Sequence, residues 1–318
     1  MKYFVTGGAG FIGSNLVDRL LSDGNEVVIY DNFSTGMLEF LKEAKKNPNL
    51  KIITGDILDT EFLTVSMSKC DFVFHLAANA DVRHGIEHSG KDLLQNTIGT
   101  FNVLEAMRFN NISKIAFSST GSVYGESSVI PTPEDAPFPI QTSLYGASKV
   151  AGEALIQSYC VGFGMQSWIF RFVSILGNRY SHGHIFDFVK QLQKHPYYLN
   201  VLGDGTQKKS YLNVKDCIDA MLIATNNFYN KQINIYNLGT DEYIEVNNSI
   251  KIICKYMNIN PQINYSGGNR GWVGDNPMIL LDCQRIRNVG WKPLYTIKES
   301  IVDTLRYLEQ NEWLLEVR

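Results

Sequence analysis

A tyrosine and a lysine spaced four positions apart have the clearest chemical potential in this sequence. Tyr145 and Lys149 belong to the segment Tyr-Gly-Ala-Ser-Lys at the start of a predicted helix, so both side chains project from one helix face. A nearby ammonium favours the phenolate form of tyrosine, so the pair could act as a general base. Thr120, at the end of the preceding predicted strand, can hydrogen-bond to the same substrate oxygen. A tyrosine here can also be a packing residue and the lysine a solvated one, so other signals must support the pair.

Glycines at positions 7, 10 and 13 lie between a predicted strand at 3–5 and a predicted helix at 14–22. Such a turn lets the backbone approach a pyrophosphate, which then faces free N–H groups and the positive end of the helix dipole. The spacing is Gly-x-x-Gly-x-x-Gly, and a glycine triplet also occurs in plain tight turns. We predict a dinucleotide site whose contacts in this turn are Gly7, Gly10, Phe11, Ile12 and Gly13.

Asp31 ends the second predicted strand, eighteen positions after Gly13. A carboxylate at this position would accept hydrogen bonds from the adenosine ribose hydroxyls and would repel a 2'-phosphate. Asn32 and the two residues after it offer no cation in compensation, so the sequence predicts NAD as the cofactor. The alternative is that Asp31 is only a turn residue. With oxidised nicotinamide bound, the added positive charge would lower the pKa of Tyr145 from ~10 toward neutrality.

Composition sets the limits of the interpretation. The chain has 318 residues, 44% of them hydrophobic, which suffices for one large α/β domain and a smaller one. Its 29 basic and 32 acidic residues give a net charge of −3 and no electrostatic reason to expect nucleic acid as a partner. No stretch approaches the ~20 apolar residues of a membrane span, and no leader is visible. The five cysteines are scattered and form no Cys-x-x-Cys motif, which argues against a cysteine zinc site, and we predict no metal. Free cysteines are typical of a reducing compartment, so we expect a cytoplasmic protein.

Short apolar runs alternate with helical stretches through the first half of the chain. This alternation predicts an α/β fold with a doubly wound parallel Rossmann sheet, which binds ligands at the carboxyl edge of its strands. Beyond about residue 175 the alternation loosens. We predict an NAD-binding Rossmann domain over 1–175 and a smaller, mainly substrate-binding domain over 176–318, with some of the latter returning to the sheet. Further predicted strands are 51–54, 71–75, 115–118 and 168–172, and predicted C-terminal helices are 214–229 and 246–257.

Six short segments of the chain match a family pattern. They are Thr-Gly-Gly-Ala-Gly-Phe-Ile-Gly at 6–13, Asp-Ile at 56–57, His-Leu-Ala-Ala at 75–78, Asn-Thr-Ile-Gly-Thr at 96–100, Ser-Thr-Gly-Ser-Val-Tyr-Gly at 119–125 and Tyr-Gly-Ala-Ser-Lys at 145–149. Together they resemble the extended short-chain dehydrogenase/reductase superfamily, and within it the nucleotide-sugar epimerases of the UDP-glucose 4-epimerase type. The resemblance covers nearly the whole chain.

The resemblance implies a role for each matched residue. Tyr145 would be the catalytic base, Lys149 would bind the nicotinamide ribose and lower the tyrosine pKa, and Thr120 would orient the sugar 4-hydroxyl. It also implies a homodimer joined through the helix that begins at Tyr145 and an apolar stripe at 93–107, and a place in polysaccharide biosynthesis. The further implied cofactor contacts are Asp56 and Ile57 beside the adenine, Ala77 and Ala78 near the ribose, Asn96 as a support, and Asn32, Leu76 and Ser118.

The segments that resemble the family's substrate half show departures. Residues 203–211 resemble a nucleoside-contacting segment, but Lys209 and Ser210 replace Arg and Asp, and lysine lacks the fork of arginine. Residues 270–275 resemble an Arg-x-Gly-Asp loop for pyrophosphate and ribose, stretched by two residues, and Ser174 replaces Asn. The departures favour an unusual nucleotide-diphosphate sugar. The substrate contacts implied are Thr120, Ser122, Tyr145, Ser174, Lys209, Arg270 and Asp275.

The residues after Thr120 separate the possible reactions. Relatives that dehydrate sugars carry Asp-Glu there, whereas this chain carries Gly121 and Ser122, which cannot do acid–base work near neutral pH. What remains is NAD-dependent oxidation at C4. A ketone that turns and takes the hydride back on its other face gives a 4-epimerase, which we predict. A ketone that leaves gives a net 4-dehydrogenase, or in reverse a keto-sugar reductase, acting on a hexose or heptose. A non-catalytic dinucleotide-binding protein would have no reason to retain Thr120, Tyr145 and Lys149.

Overall fold

The structure is a computed structural model that describes residues 1–79, 87–138, 140–227, 231–271, 276 and 278–318. Its first half contains β1 (Lys2–Thr6), α1 (Phe11–Ser22), β2 (Glu26–Asp31), β3 (Leu50–Thr54), α2 (Thr60–Ser66), β4 (Phe72–His75), α3 (Ser89–Asp92), α4 (Gly99–Phe109), β5 (Lys114–Thr120), α5 (Leu144–Phe163) and β6 (Gln166–Phe172). A π-helical segment, Leu93–Ile98, joins α3 to α4, and 3-10 turns occur at Leu38–Leu41, Ala44–Lys46 and Gly121–Tyr124.

The second half consists of shorter elements. They are β7 (Ser174–Leu176), α6 (His184–Lys194), β8 (Tyr198–Val201), β9 (Lys208–Lys209), β10 (Tyr211–Asn213), α7 (Val214–Thr225), β11 (Ile233–Leu238), β12 (Ile244–Glu245), α8 (Val246–Met257), β13 (Gln262–Tyr265), β14 (Met278–Ile279), α9 (Gln284–Asn288), α10 (Ile297–Gln310) and α11 (Trp313–Val317).

Seven parallel strands form the central sheet in the order β11-β6-β5-β4-β1-β2-β3. This arrangement confirms the predicted doubly wound Rossmann sheet. Strand order reverses between β1 and β4, where Thr6 is paired with Tyr30 on one side and His75 on the other. In such sheets ligands bind at this reversal, outside the carboxyl ends of the strands. The glycine turn follows β1, Asp31 ends β2, and Ala77 lies two residues after β4.

The sheet is apolar on both faces because helices cover both. Phe4 and Val28 belong to one core cluster, whereas their neighbours Val5 and Ile29 belong to the other. Alternate residues of a strand point to opposite faces of the sheet. Because both faces are buried, nearly every residue of these strands is hydrophobic. The rigid sheet thereby fixes the positions at which its carboxyl ends present polar groups.

The second half of the chain forms smaller sheets beside the main one. β7 pairs with β10, β8 with β13, and β9 lies between β12 and β14. β11 returns to the central sheet next to β6, and the predicted boundary near 175 falls within β7. The predicted helix 246–257 coincides with α8, but the predicted helix 214–229 ends at Thr225 in α7. Within the described ranges, no helix has the length and apolar character that crossing a membrane would require.

Candidate active site

The glycine turn after β1 is shaped by close backbone contacts. Gly7 has a φ of 69°, a conformation that favours glycine, and donates its N–H to the Tyr30 carbonyl at 3.0 Å. A Cβ on Gly7 would lie 2.7 Å from the Ala77 nitrogen, and one on Gly13 would collide with the Gly7 carbonyl. α1 begins at Phe11, followed by Ile12, and among the described residues no side chain caps its N-terminus. The turn therefore fits the pyrophosphate of a dinucleotide.

Asp31 is held rigidly at the carboxyl end of β2. Its two carboxylate oxygens accept the N–H groups of Ala9 and Phe33, each at 2.9 Å. Burial raises the pKa of Asp31, and these two hydrogen bonds oppose the rise. Each carboxylate oxygen keeps a lone pair for a ribose hydroxyl, so the geometry fits NAD.

Asp56 and Ile57, predicted to lie beside the adenine, are each held by a hydrogen bond from another segment. The Asn32 amide donates to one Asp56 carboxylate oxygen at 2.9 Å, and the other oxygen accepts the Leu58 N–H at 2.9 Å. Ile57 is buried, and its carbonyl accepts the Asn102 amide at 3.0 Å. The structure thus brings Asn32, Asp56 and Ile57 together beyond the ends of β2 and β3.

The segment after β4 passes directly over the end of β1. Leu76 donates its N–H to the Thr6 carbonyl at 3.1 Å, and Ala77 donates to the Thr6 hydroxyl at 3.2 Å. The same hydroxyl bonds to the His75 Nδ1 at 2.8 Å. Leu76, Ala77 and the adjoining Ala78 therefore lie at the strand-order reversal, beside the glycine turn, as predicted for cofactor contacts.

Asn96 connects this segment to the helix that carries the catalytic pair. Its carbonyl oxygen accepts the Asn79 N–H at 2.7 Å, and its amide donates to the Ser148 hydroxyl at 2.9 Å. Ser148 in turn donates to the Tyr145 carbonyl at 2.8 Å. Through these bonds Asn96, which lies in the π-helical segment, links the segment after β4 to the start of α5.

Lys149 is buried at the end of β5. Its ammonium donates to the Ser118 carbonyl at 2.8 Å, and its Nζ lies 4.8 Å from the centroid of the Phe117 ring and 5.9 Å from that of Tyr145. Burial lowers the pKa of Lys149 to about 7, while Glu153 and Asp92 act to raise it. Burial therefore makes this ammonium lose its proton more easily than that of an exposed lysine.

The side chains of Tyr145 and Thr120 lie near each other at the end of β5. The Thr120 hydroxyl donates to the Ser122 hydroxyl at 3.2 Å and accepts the Ser122 N–H at 3.1 Å. Burial raises the pKa of Tyr145 to about 12; the Thr120 side chain acts to lower it and Asp92 acts to raise it further. The structure thus assembles the predicted group, but the protein alone holds the phenol protonated. The predicted fall in pKa depends on positive charge from a bound oxidised cofactor.

A buried ion pair behind this group was not predicted. Arg171 on β6 donates to Glu153 at 2.7 Å, and Glu153 also accepts the Ser119 hydroxyl. The signal was present in the sequence, because Glu153 follows Lys149 by four residues on the same helix and Arg171 interrupts an apolar strand. A charged residue inside a buried strand requires a partner.

Only some of the predicted substrate contacts lie close to one another. The Lys209 ammonium donates to the Asn276 carbonyl at 2.9 Å, and the Asn276 amide donates to the Gly125 carbonyl. Arg270 pairs with Glu126 at 2.7 Å. Both cations thereby reach the segment that follows the Thr120 turn. Ser174 is exposed at the start of β7, and Asp275 lies outside the described residues.

Comparisons with known proteins identify the family to which this chain belongs. Residues 3–239 match the model of the NAD dependent epimerase/dehydratase family. The UDP-glucose 4-epimerase of Mycolicibacterium smegmatis is 30% identical over 317 residues, which cover 98% of this chain and 99% of that protein. A crystal structure of UDP-galactose 4-epimerase has a TM-score of 0.89 and 34% identity, covering 98% of this chain and 100% of that one. The Bacillus cereus UDP-glucuronic acid 4-epimerase, in complex with UDP-glucuronic acid and NAD, has a TM-score of 0.90 and 27% identity, covering 98% and 99%.

The fold and site define an NAD-dependent enzyme of the extended short-chain dehydrogenase/reductase superfamily. Within it, the chain belongs to the NAD-dependent epimerase/dehydratase family.

Proposed function

We propose that this protein is an NAD-dependent 4-epimerase of a nucleotide-diphosphate sugar. The observation that carries the proposal is the placement of Tyr145 and Lys149 one turn apart on α5, with the Lys149 ammonium bonded to the Ser118 carbonyl two residues before Thr120. These groups lie at the edge of the sheet where the glycine turn and Asp31 fit NAD. The similar proteins named as 4-epimerases support the same reaction.

Each of these residues has a distinct task. The glycine turn and the N-terminus of α1 would hold the pyrophosphate, Asp31 the adenosine ribose, and Lys149 the nicotinamide ribose. Bound NAD supplies a hydride acceptor for the sugar C4 and later a hydride donor. Tyr145 takes the proton of the 4-hydroxyl as general base and returns a proton to the same oxygen when C4 is reduced. Thr120 orients that oxygen through its hydroxyl.

The protonation of Tyr145 sets the condition for the first step. Its pKa of about 12 in the protein alone leaves little phenolate at neutral pH. Lowering this pKa from about 12 to about 7 requires ~7 kcal/mol of differential stabilisation. Lys149 already lies beside the phenol in the protein alone, so this further stabilisation must come from the positive charge of bound oxidised nicotinamide in a site with little water.

Lys209 and Arg270 support a diphosphate-bearing substrate. Arg270 and its partner Glu126 are both exposed, with side-chain exposures of 40% and 47%, so a substrate diphosphate can compete for the guanidinium. Lys209 presents a point charge where the family pattern has an arginine fork. We propose that this protein makes fewer bidentate contacts to the nucleotide than typical relatives do. The weaker contacts would allow a nucleoside other than uridine to bind.

We further propose that the enzyme is a cytoplasmic homodimer. Exposed apolar side chains are concentrated along the Leu93–Ile98 segment, α4 and α5, including Leu94 at 48%, Phe101 at 41% and Val161 at 74% exposure. Neighbouring helices that each leave an apolar face exposed can pack against the same helices of a second copy, as isologous dimers require.

The alternative is a net 4-dehydrogenase. It is favoured by the departures at Lys209 and Ser210, which could fix the sugar in one orientation and prevent the ketone from turning. The two reactions share their first step and differ in whether the 4-keto sugar stays bound.

A panel of UDP-, GDP-, CDP- and dTDP-sugars tests the proposal. Purified protein with NAD is incubated with each sugar while NADH absorbance and product stereochemistry are followed, and Tyr145→Phe is the control. We expect a C4 epimer with little free NADH. Stoichiometric NADH with a released 4-keto sugar would establish the dehydrogenase. No turnover of any sugar by a protein that binds NAD would overturn both.

A further inference from the structure

The buried ion pair between Glu153 and Arg171 lies directly behind the catalytic group. The side chains of Arg171 and Glu153 are only 3% and 1% exposed, and Arg171 also donates through its Nε to Glu153 at 3.0 Å. A buried pair of this kind is weak evidence for added stability, since apolar residues of similar volume often stabilise a protein as well. Its position therefore points to a role in the site.

The pair holds the segment that carries Thr120. Glu153 accepts the hydroxyl of Ser119, the residue directly before Thr120. Arg171 donates to the Tyr124 hydroxyl at 2.7 Å, at the end of the turn that follows Thr120. One ion pair thus fixes the backbone on both sides of the catalytic hydroxyl.

The network extends from there to the neighbouring strand. Tyr124 donates to the Asn237 amide oxygen at 2.8 Å, and Asn237 on β11 donates its N–H to Glu134 at 2.9 Å. Arg171 also donates to the Glu134 carbonyl at 2.9 Å. The end of β5 is therefore tied to β6 and β11 by buried bonds.

Glu153 is also one of two carboxylates that act on Lys149. The titratable groups facing the ammonium are Tyr145 and Glu153 on α5, Asp92 on α3 and His75 on β4. His75 is buried and neutral, because burial lowers its pKa to about 3. Negative charge near Lys149 therefore comes from Glu153 and Asp92 within the described part of the chain.

We propose that Glu153 is a positioning residue of the epimerase: its carboxylate balances the Lys149 ammonium and, through Ser119, fixes the strand end that presents Thr120. This inference rests on the proposed function for its kinetic consequences. Its electrostatic part can be measured on the protein without any substrate.

Glu153→Gln is the first test, because glutamine keeps the size and the acceptor for Ser119 but removes the charge. It also leaves the Arg171 cation buried without a counter-charge, which is strongly destabilising. The double variant Glu153→Gln with Arg171→Met removes that cation and is expected to recover thermal stability. Glu43→Gln, in an exposed ion pair with Lys46, is the matched control.

The Lys149 titration is followed by NMR of lysine labelled with ¹³C at Cε, with the Lys149→Met spectrum assigning the signal. In Glu153→Gln and in the double variant we expect Lys149 to titrate about one pH unit or more below the wild type. The alkaline limb of the kcat profile should move down with it, because turnover needs the ammonium. In Glu153→Asp, Lys149 should titrate at nearly the same pH as in the wild type, because the carboxylate is kept. In Glu43→Gln, Lys149 should titrate as in the wild type.

The outcomes separate this inference from the proposed function. If the double variant is stable and its Lys149 titrates as in the wild type, the ion pair is only structural and the inference is wrong. If the titration moves as expected but the wild type epimerises no nucleotide sugar, the electrostatic role stands and the proposed function fails. If the titration moves and the alkaline limb does not, the coupling to catalysis is rejected.

Discussion

Lys149 and Ser118 are joined by a hydrogen bond of 2.8 Å from the buried ammonium to the strand carbonyl. This bond fixes the ammonium two residues before Thr120, one helical turn from Tyr145. The lysine side chain has a flexible stem, and this bond restricts it to one conformation. The position of the ammonium relative to Tyr145 and Thr120 therefore depends on the contact of α5 with the end of β5.

Tyr145→Phe should remove most turnover while NAD affinity stays nearly unchanged, because only the ionisable oxygen is lost. General acid–base groups contribute roughly 10²–10⁴-fold, so kcat should fall by at least about 10²-fold. Steady-state assays and calorimetric titration with NAD measure the two effects separately. Activity retained within ~10-fold would remove Tyr145 from the mechanism.

Lys149→Met should damage both NAD affinity and kcat, because the same ammonium is assigned to the nicotinamide ribose and to the tyrosine. Methionine keeps the apolar stem, so folding should persist, which circular dichroism checks. Lys46→Met, at an exposed site, serves as the control. A variant that loses turnover but binds NAD as the wild type does would contradict the assignment to the ribose.

The fold was predictable because local pattern and tertiary position agree in this sheet. Buried parallel strands are apolar throughout, so the runs at 51–54, 71–75, 115–118 and 168–172 were found within one or two residues of β3 to β6. The placement of Tyr145 and Lys149 on one helix was also predictable, because their spacing of four residues is one helical turn. The end of one helix was predicted wrongly: the predicted helix 214–229 runs past Asn226 and Asn227, whereas α7 ends at Thr225.

Long-range pairings and burial could not be predicted in the same way. The ion pair of Arg171 with Glu153 joins residues that are 18 positions apart on different elements, and the bond of Ser119 to Glu153 spans 34. The raised pKa of Tyr145 likewise depends on burial, which only the packed structure reveals. The spacing of residues in the sequence predicts which side chains lie on the same helix or strand. Their protonation state depends on the residues that pack around them in the folded protein.

NAD should bind in preference to NADP, because Asp31 accepts ribose hydroxyls and repels a 2'-phosphate. Calorimetry with both dinucleotides measures the ratio, and Asp31→Ser should narrow it by about tenfold or more, a change of ~1.4 kcal/mol. Asp23→Ser, at the far end of α1, changes the charge equally and should leave the ratio unchanged. Equal or tighter binding of NADP by the wild type would overturn this interpretation of Asp31.

The homodimer predicts a mass twice that of the 35.9 kDa chain in light scattering at micromolar concentration. Phe101→Glu combined with Leu94→Glu should yield monomers, because two charges would be buried at the proposed interface without partners. Leu294→Glu, at a side chain that is 78% exposed in the second half of the chain, is the control and should leave the mass unchanged. A strictly monomeric wild type would reject the assembly.

His75 should make the protein less stable as the pH falls. Its ring is fully buried between the hydroxyls of Thr6 at 2.8 Å and Thr100 at 3.0 Å, and burial lowers its pKa from 6.5 to about 3. Between these two values the unfolded chain binds a proton that the folded chain does not, so the unfolding free energy falls as pH falls. The slope from this group approaches ~1.4 kcal/mol per pH unit below pH 6.5. Urea unfolding at pH 7.5 and pH 5 measures it, and His75→Gln should destabilise the protein at pH 7.5 yet lose less stability between the two pH values. An equal loss in the variant and the wild type would show that His75 does not carry this dependence.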